Sequence, residues 1–225
     1  MRSRAWILMW GLVAACGRPP VEQPERVEAR SPAPKMPAAP DPRPVVAAFG
    51  DSLSAGFGAN PGASYPDFLQ RELDRRRLRY RVANLGVSGD TTTGGVARVD
   101  SVLALQPKLV ILELGGNDGL RGLPVSATRS NLEQMIEVFE RSSIPVVLAG
   151  ITLPPNYGAD YVGGFDQMYR ELAAHYKLPL IPFLLEGVAT VPGLMQPDGI
   201  HPTAEGNRKV AQTVMRTIEP LLTAR

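Results

Sequence analysis

Short apolar runs rich in β-branched residues alternate with longer amphipathic stretches along most of this chain, and that alternation dictates what it can fold into. Residues 45–49, 80–84, 109–114, 146–151 and 180–183 are the apolar runs. Their near-continuous hydrophobicity calls for burial on both faces, the condition of a strand inside a parallel sheet. Between and after them, 64–78, 93–106, 126–142, 161–176 and 202–221 are predicted helices. In the third of these, Leu132, Met135, Ile136 and Phe139 recur at the spacing that makes one apolar stripe. Strands alternating with helices imply right-handed crossovers and a three-layer αβα domain of α/β class, assigned to residues 45–225.

The residues before that domain have a different character. Arg2 and Arg4 precede an apolar run, 5–15, that is too short to span a bilayer comfortably and has the form of a secretory signal. Val13-Ala14-Ala15-Cys16 resembles a bacterial lipoprotein box, in which the cysteine is lipidated and becomes the mature N-terminus. Residues 1–16 are therefore expected to be a lipoprotein-type signal. The protein is expected to be exported and lipid-anchored in the cell envelope of a bacterium, with the membrane as a partner through that anchor. Residues 17–44 carry nine prolines and hardly any large apolar side chain. Such a segment cannot bury enough surface to offset chain entropy, and a disordered tether is the expectation.

Charge narrows the partners. The formal net charge is +2, from 24 basic and 22 acidic residues. Removing Arg2 and Arg4 with the signal leaves the remainder balanced, so nothing suggests a nucleic-acid surface. The cluster Arg75, Arg76, Arg77, Arg79 and Arg81 suits the end of a helix, where cations complement the macrodipole. Cys16 is the single cysteine and there are two histidines, which excludes an internal disulfide and leaves no zinc cluster.

Four short polar blocks carry the chemistry: Gly50-Asp51-Ser52-Leu53, Asn84-Leu85-Gly86, Gly115-Gly116-Asn117-Asp118 and Asp198-Gly199-Ile200-His201. In open parallel sheets ligands bind beyond the carboxyl ends of the strands. Ser52 follows the first predicted strand, Gly86 the second and Asn117 the third, so all three project onto one rim. Asp198 reaches one ring nitrogen of His201 and fixes its tautomer, leaving the other to serve Ser52 as general base. Gly86 allows its backbone N–H a close approach to a developing negative charge, and Asn117 supplies a directed amide donor. Asp118 is expected to orient its loop without transferring a proton. His175 lies in a predicted helix with no acidic residue at matching spacing, and a surface or core role is expected. The combination points to acyl transfer by a nucleophilic serine.

These blocks resemble those of the SGNH, or GDSL-type, hydrolases, whose four named residues would be Ser52, Gly86, Asn117 and His201. The stretches 50–56, 88–91, 112–122 and 198–202 are similar to the branch of bacterial multifunctional thioesterase I, lysophospholipase and arylesterase proteins. The resemblance covers about 45–222. It implies a flavodoxin-like sheet of five parallel strands, a Ser52–His201–Asp198 triad, and no metal or organic cofactor. The oxyanion hole would be the Ser52 N–H, the Gly86 N–H and the Asn117 side chain. The implied substrate is a small acyl ester or thioester, with lysophospholipids among the candidates. Leu120, Leu123, Leu153 and Tyr157 are expected acyl contacts.

Two rivals stand beside that reading. One keeps the chemistry and changes the substrate to acetyl groups on carbohydrate, which a short acyl pocket would favour. The other is an inactive lipid-tethered binding protein on a hydrolase scaffold. A flavin or nucleotide binder fails on motif grounds: Gly56-Phe57-Gly58 is followed by Pro61 where a third glycine belongs, and no phosphate-binding G-x-x-x-x-G-K run occurs.

Overall fold

The computed structural model describes residues 41–224. The predicted signal, Cys16 and residues 17–40 of the predicted tether lie outside the described residues.

Five strands form one parallel sheet: β1 (Val45–Gly50), β2 (Arg81–Asn84), β3 (Leu109–Glu113), β4 (Val146–Ala149) and β5 (Leu180–Ile181). Their order is β2-β1-β3-β4-β5, and every pairing is parallel. Strands β1, β3 and β4 are buried at every position, which is why they read as unbroken apolar runs. The edge strands β2 and β5 are only partly buried and correspondingly weaker in sequence.

The helices are α1 (Ser52–Ala55), α2 (Tyr65–Arg75), α3 (Thr92–Leu103), α4 (Gly116–Leu120), α5 (Val125–Arg141), α6 (Ala159–His175) and α7 (Ala204–Thr223). The five long ones fall within three residues of their predicted bounds. The single-turn helices α1 and α4 were not foreseen, being too short to show a period. Ser64 and Asp67 form a reciprocal capping box that starts α2, with Pro66 in its first turn. The predicted stripe on α5 is buried as Leu132, Met135, Ile136 and Phe139. At the start of α7, Pro202 lies before the N-cap, Thr203, rather than in the first helical turn where it was expected.

Two local outcomes correct or refine the sequence reading. The expected tether boundary at residue 44 is too late, because Arg43 bonds Asp74 on α2 and the Pro44 carbonyl accepts from the Arg81 N–H. Part of the basic cluster is paired within the domain: Arg75 and Arg76 pair with Glu72, and Arg76 also with Glu219 on α7. His175 sits exposed at the end of α6, its ring edge-on to Tyr176. Among the described residues no helix is long and apolar enough to cross a membrane.

Candidate active site

The carboxyl ends of β1 to β4 all open onto the same edge of the sheet, and each delivers part of one cavity. At the end of β1, a Cβ on Gly50 would lie 2.2 Å from both Glu113 Oε2 and Ser54 Oγ, so only glycine fits. Asp51 caps α1 by accepting the Leu53 N–H at 3.0 Å. Ser52 is thereby the first residue of a single helical turn, with a backbone N–H that has no partner inside the helix. The turn closes at Gly56, whose left-handed conformation (φ 76°) suits glycine and whose N–H returns to the Ser52 carbonyl.

The other half of the machinery comes from the loop before α7. An antiparallel bridge between Met195 and Pro202 closes that loop, with the Gln196 N–H donated to the His201 carbonyl at 2.8 Å. Asp198 Oδ1 accepts the backbone N–H groups of Ile200 and His201 at 2.9 and 3.0 Å. Asp198 Oδ2 lies 2.7 Å from His201 Nδ1, and His201 Nε2 lies 2.9 Å from Ser52 Oγ. Partial burial works to raise the Asp198 carboxyl, but its hydrogen bonds from His201 and Ile200 outweigh that and hold it at about 2. An ionised Asp198 requires the hydrogen on Nδ1, which leaves Nε2 as the acceptor facing the serine hydroxyl. Residues 149 positions apart therefore meet within bonding reach.

Asn117, second residue of α4, lines the same cavity. Its Nδ2 donates to Asp51 Oδ2 at 3.0 Å and to the Asp90 carbonyl at 2.9 Å. Gly86 is packed so closely on α1 that a Cβ would lie 2.1 Å from the Ala55 nitrogen, and its N–H is donated to Asn84 Oδ1 at 3.0 Å. Two of the three expected oxyanion donors, Gly86 and Asn117, thus hold internal partners. Asp118 is buried and faces away from the serine: it accepts the Thr92 N–H and hydroxyl and so ties α4 to α3.

The cavity measures about 650 Å³ and its walls are mainly apolar. Leu120 and Leu153 line it as expected, together with Ile151, Phe183, Leu185 and Met195. Leu123 and Tyr157 do not. The Leu123 carbonyl accepts the Tyr161 hydroxyl, and the Tyr157 hydroxyl is donated to the Leu120 carbonyl at 3.0 Å, bonds that tie residues 157–161 to the end of α4 and the turn after it. Their neighbourhood was legible in the sequence, but the direction of each side chain was not.

Two further contributors went unread. The Phe57 ring, 51% exposed, tilts over the His201 ring with centroids 4.6 Å apart. Gln196 Nε2 donates to the Phe57 and Pro202 carbonyls, strapping the histidine loop to the turn after α1. Glycines on both sides of Phe57 signalled a turn there, yet nothing local tied that turn to the distant histidine.

Comparison with known proteins agrees with the fold. The GDSL-like Lipase/Acylhydrolase family profile matches residues 48–209. The chain is 44% identical over 174 residues to Esterase TesA of Pseudomonas aeruginosa, covering 77% of this chain and 87% of that protein. It is 38% identical over 175 residues to Thioesterase 1/protease 1/lysophospholipase L1 of Escherichia coli K12, covering 77% and 83%. Among solved structures, AlinE4, an SGNH-hydrolase family esterase, superposes with a TM-score of 0.67 at 44% identity over 81% of this chain and 98% of that one.

Proposed function

This chain belongs to the GDSL-like lipase/acylhydrolase family and is an esterase of SGNH type, and we propose that Ser52, His201 and Asp198 carry out its acyl transfer. The observation that supports this most is the unbroken relay from Asp198 through His201 to the Ser52 hydroxyl. Ser52 Oγ attacks the carbonyl carbon of an ester or thioester while Nε2 of His201 takes the hydroxyl proton. Asp198, ionised and fixed by two backbone N–H groups, stabilises the imidazolium that forms. The imidazolium then protonates the departing alcohol or thiol, leaving an acyl group on Ser52. Water, deprotonated by the same nitrogen, attacks that ester and returns the serine.

The tetrahedral oxyanion is received by the Ser52 N–H, the Gly86 N–H and the Asn117 amide. Asn117 has two hydrogens to distribute, one on a neutral carbonyl and one on a carboxylate. Charge-assisted bonds are the stronger, so the oxyanion displaces the Asp90 carbonyl and Asp51 keeps its bond. Gly86 exchanges Asn84 Oδ1 for the substrate in the same way.

The apolar walls contributed by Leu120, Leu153, Ile151 and Phe183 support an acyl chain longer than acetyl and weigh against a carbohydrate deacetylase. Lysophospholipids fall within that substrate class. Attachment to a bacterial cell-envelope membrane is part of the same proposal, supported by the sequence of residues 1–16; Cys16→Ser would release the protein from membranes, and unchanged fractionation would refute the anchor. For the substrate, turnover of p-nitrophenyl acetate and octanoate by the purified protein is compared. A higher kcat/KM on octanoate is expected, and a preference for acetate overturns the acyl-chain reading.

A further inference from the structure

One group near the reacting atoms has no part in the relay. Glu113 closes β3 among Leu109, Val110, Ile111 and Leu112, and is fully buried at 0% exposure. A carboxylate in that position is costly unless something repays its lost hydration. Its Oε2 accepts the Ser54 hydroxyl at 2.7 Å and the Asp51 N–H at 3.2 Å. Ser54 Oγ is in turn 2.9 Å from the buried Tyr65 hydroxyl. Its Oε1, equally buried, receives no hydrogen from any donor among the described residues. No cation pairs with it there either.

The ionisable group placed against it is another carboxyl residue, Asp51, whose backbone N–H Glu113 accepts and which is itself only 2% exposed. Two carboxylates in contact inside a dry core cannot both be ionised, so the pair carries a proton between them. The surroundings say which member holds it. Both Asp51 oxygens already accept hydrogens, from the Leu53 N–H and from Asn117 Nδ2, surroundings that favour the anion there. The orphaned Oε1 of Glu113 is the atom that needs a hydrogen of its own. Burial, then the neighbouring Asp51 charge, push Glu113 well above the usual carboxylate range, in agreement with that placement.

We propose that Glu113 is a positioning residue for the oxyanion donor: its carboxyl hydrogen, donated to Asp51, keeps Asp51 an anionic acceptor, and that acceptor holds the Asn117 amide with its N–H groups toward the reacting carbonyl. Without the donor the Asp51 carboxyl must take up a proton itself or lose its seat. A protonated Asp51 would face the amide as a donor and favour the opposite orientation, with the Asn117 oxygen turned inward. An acceptor in place of a donor would repel the oxyanion. The same contact supports the Ser52 turn, since Asp51 caps α1 with its other oxygen. The proposal rests on the reading of Asn117 as an oxyanion donor and adds the residue that aims it.

The test is a double-mutant cycle on p-nitrophenyl octanoate, with kcat and KM measured separately for wild type, Glu113→Leu, Asn117→Ala and the pair, plus Glu113→Gln. Glu113→Leu should lower kcat about 10-fold with KM unchanged, a loss within the coupling range of contacting residues. On the Asn117→Ala background the same change should cost less than about 3-fold, because its target is gone. Glu113→Gln still presents an N–H to Asp51 and an oxygen to Ser54, and should keep kcat within about 3-fold of wild type. Equal losses from Glu113→Leu in both backgrounds would overturn the proposal. So would a glutamine variant that folds and loses kcat about 10-fold, which decides the matter even where the leucine variant fails to fold. Wild-type kcat in Asn117→Ala alone would instead sink the underlying oxyanion assignment, so the two failures are distinguishable.

Discussion

Replacing Gly119 by alanine should shorten the acyl cavity from behind without touching the reacting atoms. Gly119 lies on α4, and a Cβ there would stand 2.4 Å from Leu153 Cδ2 and 2.8 Å from Cδ1. Leu153 is 5% exposed, so it is packed on its other sides and its free direction is into the cavity that it lines. Restoring an ordinary carbon–carbon separation of about 3.5–4 Å moves its methyl groups by roughly 1 Å, close to the length that one methylene of an acyl chain occupies. A buried methylene is worth about 0.8 kcal/mol, or about fourfold in kcat/KM. The octanoate-to-acetate ratio of kcat/KM should therefore fall about fourfold in Gly119→Ala, with acetate itself held within about twofold. The assay is initial-rate hydrolysis of p-nitrophenyl esters from acetyl to decanoyl. An unchanged ratio would show that the chain does not pass Leu153. An equal loss on acetate would show instead that α4 had moved Asn117.

Two more expectations follow from the packing and charge of the site. Gly86→Ala places a Cβ 2.1 Å from the Ala55 nitrogen and 2.6 Å from the Ser54 carbonyl carbon, backbone atoms of the turn that carries Ser52; melting should show a loss of roughly 1–3 kcal/mol with kcat falling alongside, and wild-type values of both would refute the close approach. Burial raises Asp51 from 3.8 to about 6 and Glu113 further above its ordinary value. The folded state thus keeps protons that the unfolded chain has released, and stability falls as pH rises from about 4 through 6 and beyond. Asp198, held near 2, acts in the opposite sense, its stabilisation present above 3.8 and lost only as pH falls toward 2. Glu113→Gln should accordingly lose less Tm than wild type between pH 5 and 9, by differential scanning fluorimetry; parallel curves would contradict a neutral Glu113.

Much of this was legible before any coordinates, for identifiable reasons. Strands β1, β3 and β4 are buried on both faces, so their apolar runs stand out without an alternating pattern. Parallel order then puts every residue that follows a strand on one edge, which brought Ser52, Gly86 and Asn117 together from topology alone. Asp198 and His201 announced themselves by their spacing. What stayed hidden depends on direction and on long-range contact. Leu123 and Tyr157 lie in the segments that follow β3 and β4 yet do not line the cavity, because a short connection has no period to fix a side chain's face. Phe57 and Gln196 act across 139 positions, through a bond that no local pattern encodes. Glu113 did leave a signal, a lone acid inside the apolar run 109–114, and a charge so placed asks for a partner that the sequence does not name.

The central claim is that the Ser52 hydroxyl is the nucleophile, activated by His201. Reaction with a fluorophosphonate followed by peptide mass mapping tests it most directly, with His201→Ala run in parallel. The account predicts one adduct per chain, on the peptide containing Ser52, forming far more slowly in the histidine variant. Labelling at another residue, or Ser52→Ala hydrolysing octanoate at the wild-type rate, would contradict it.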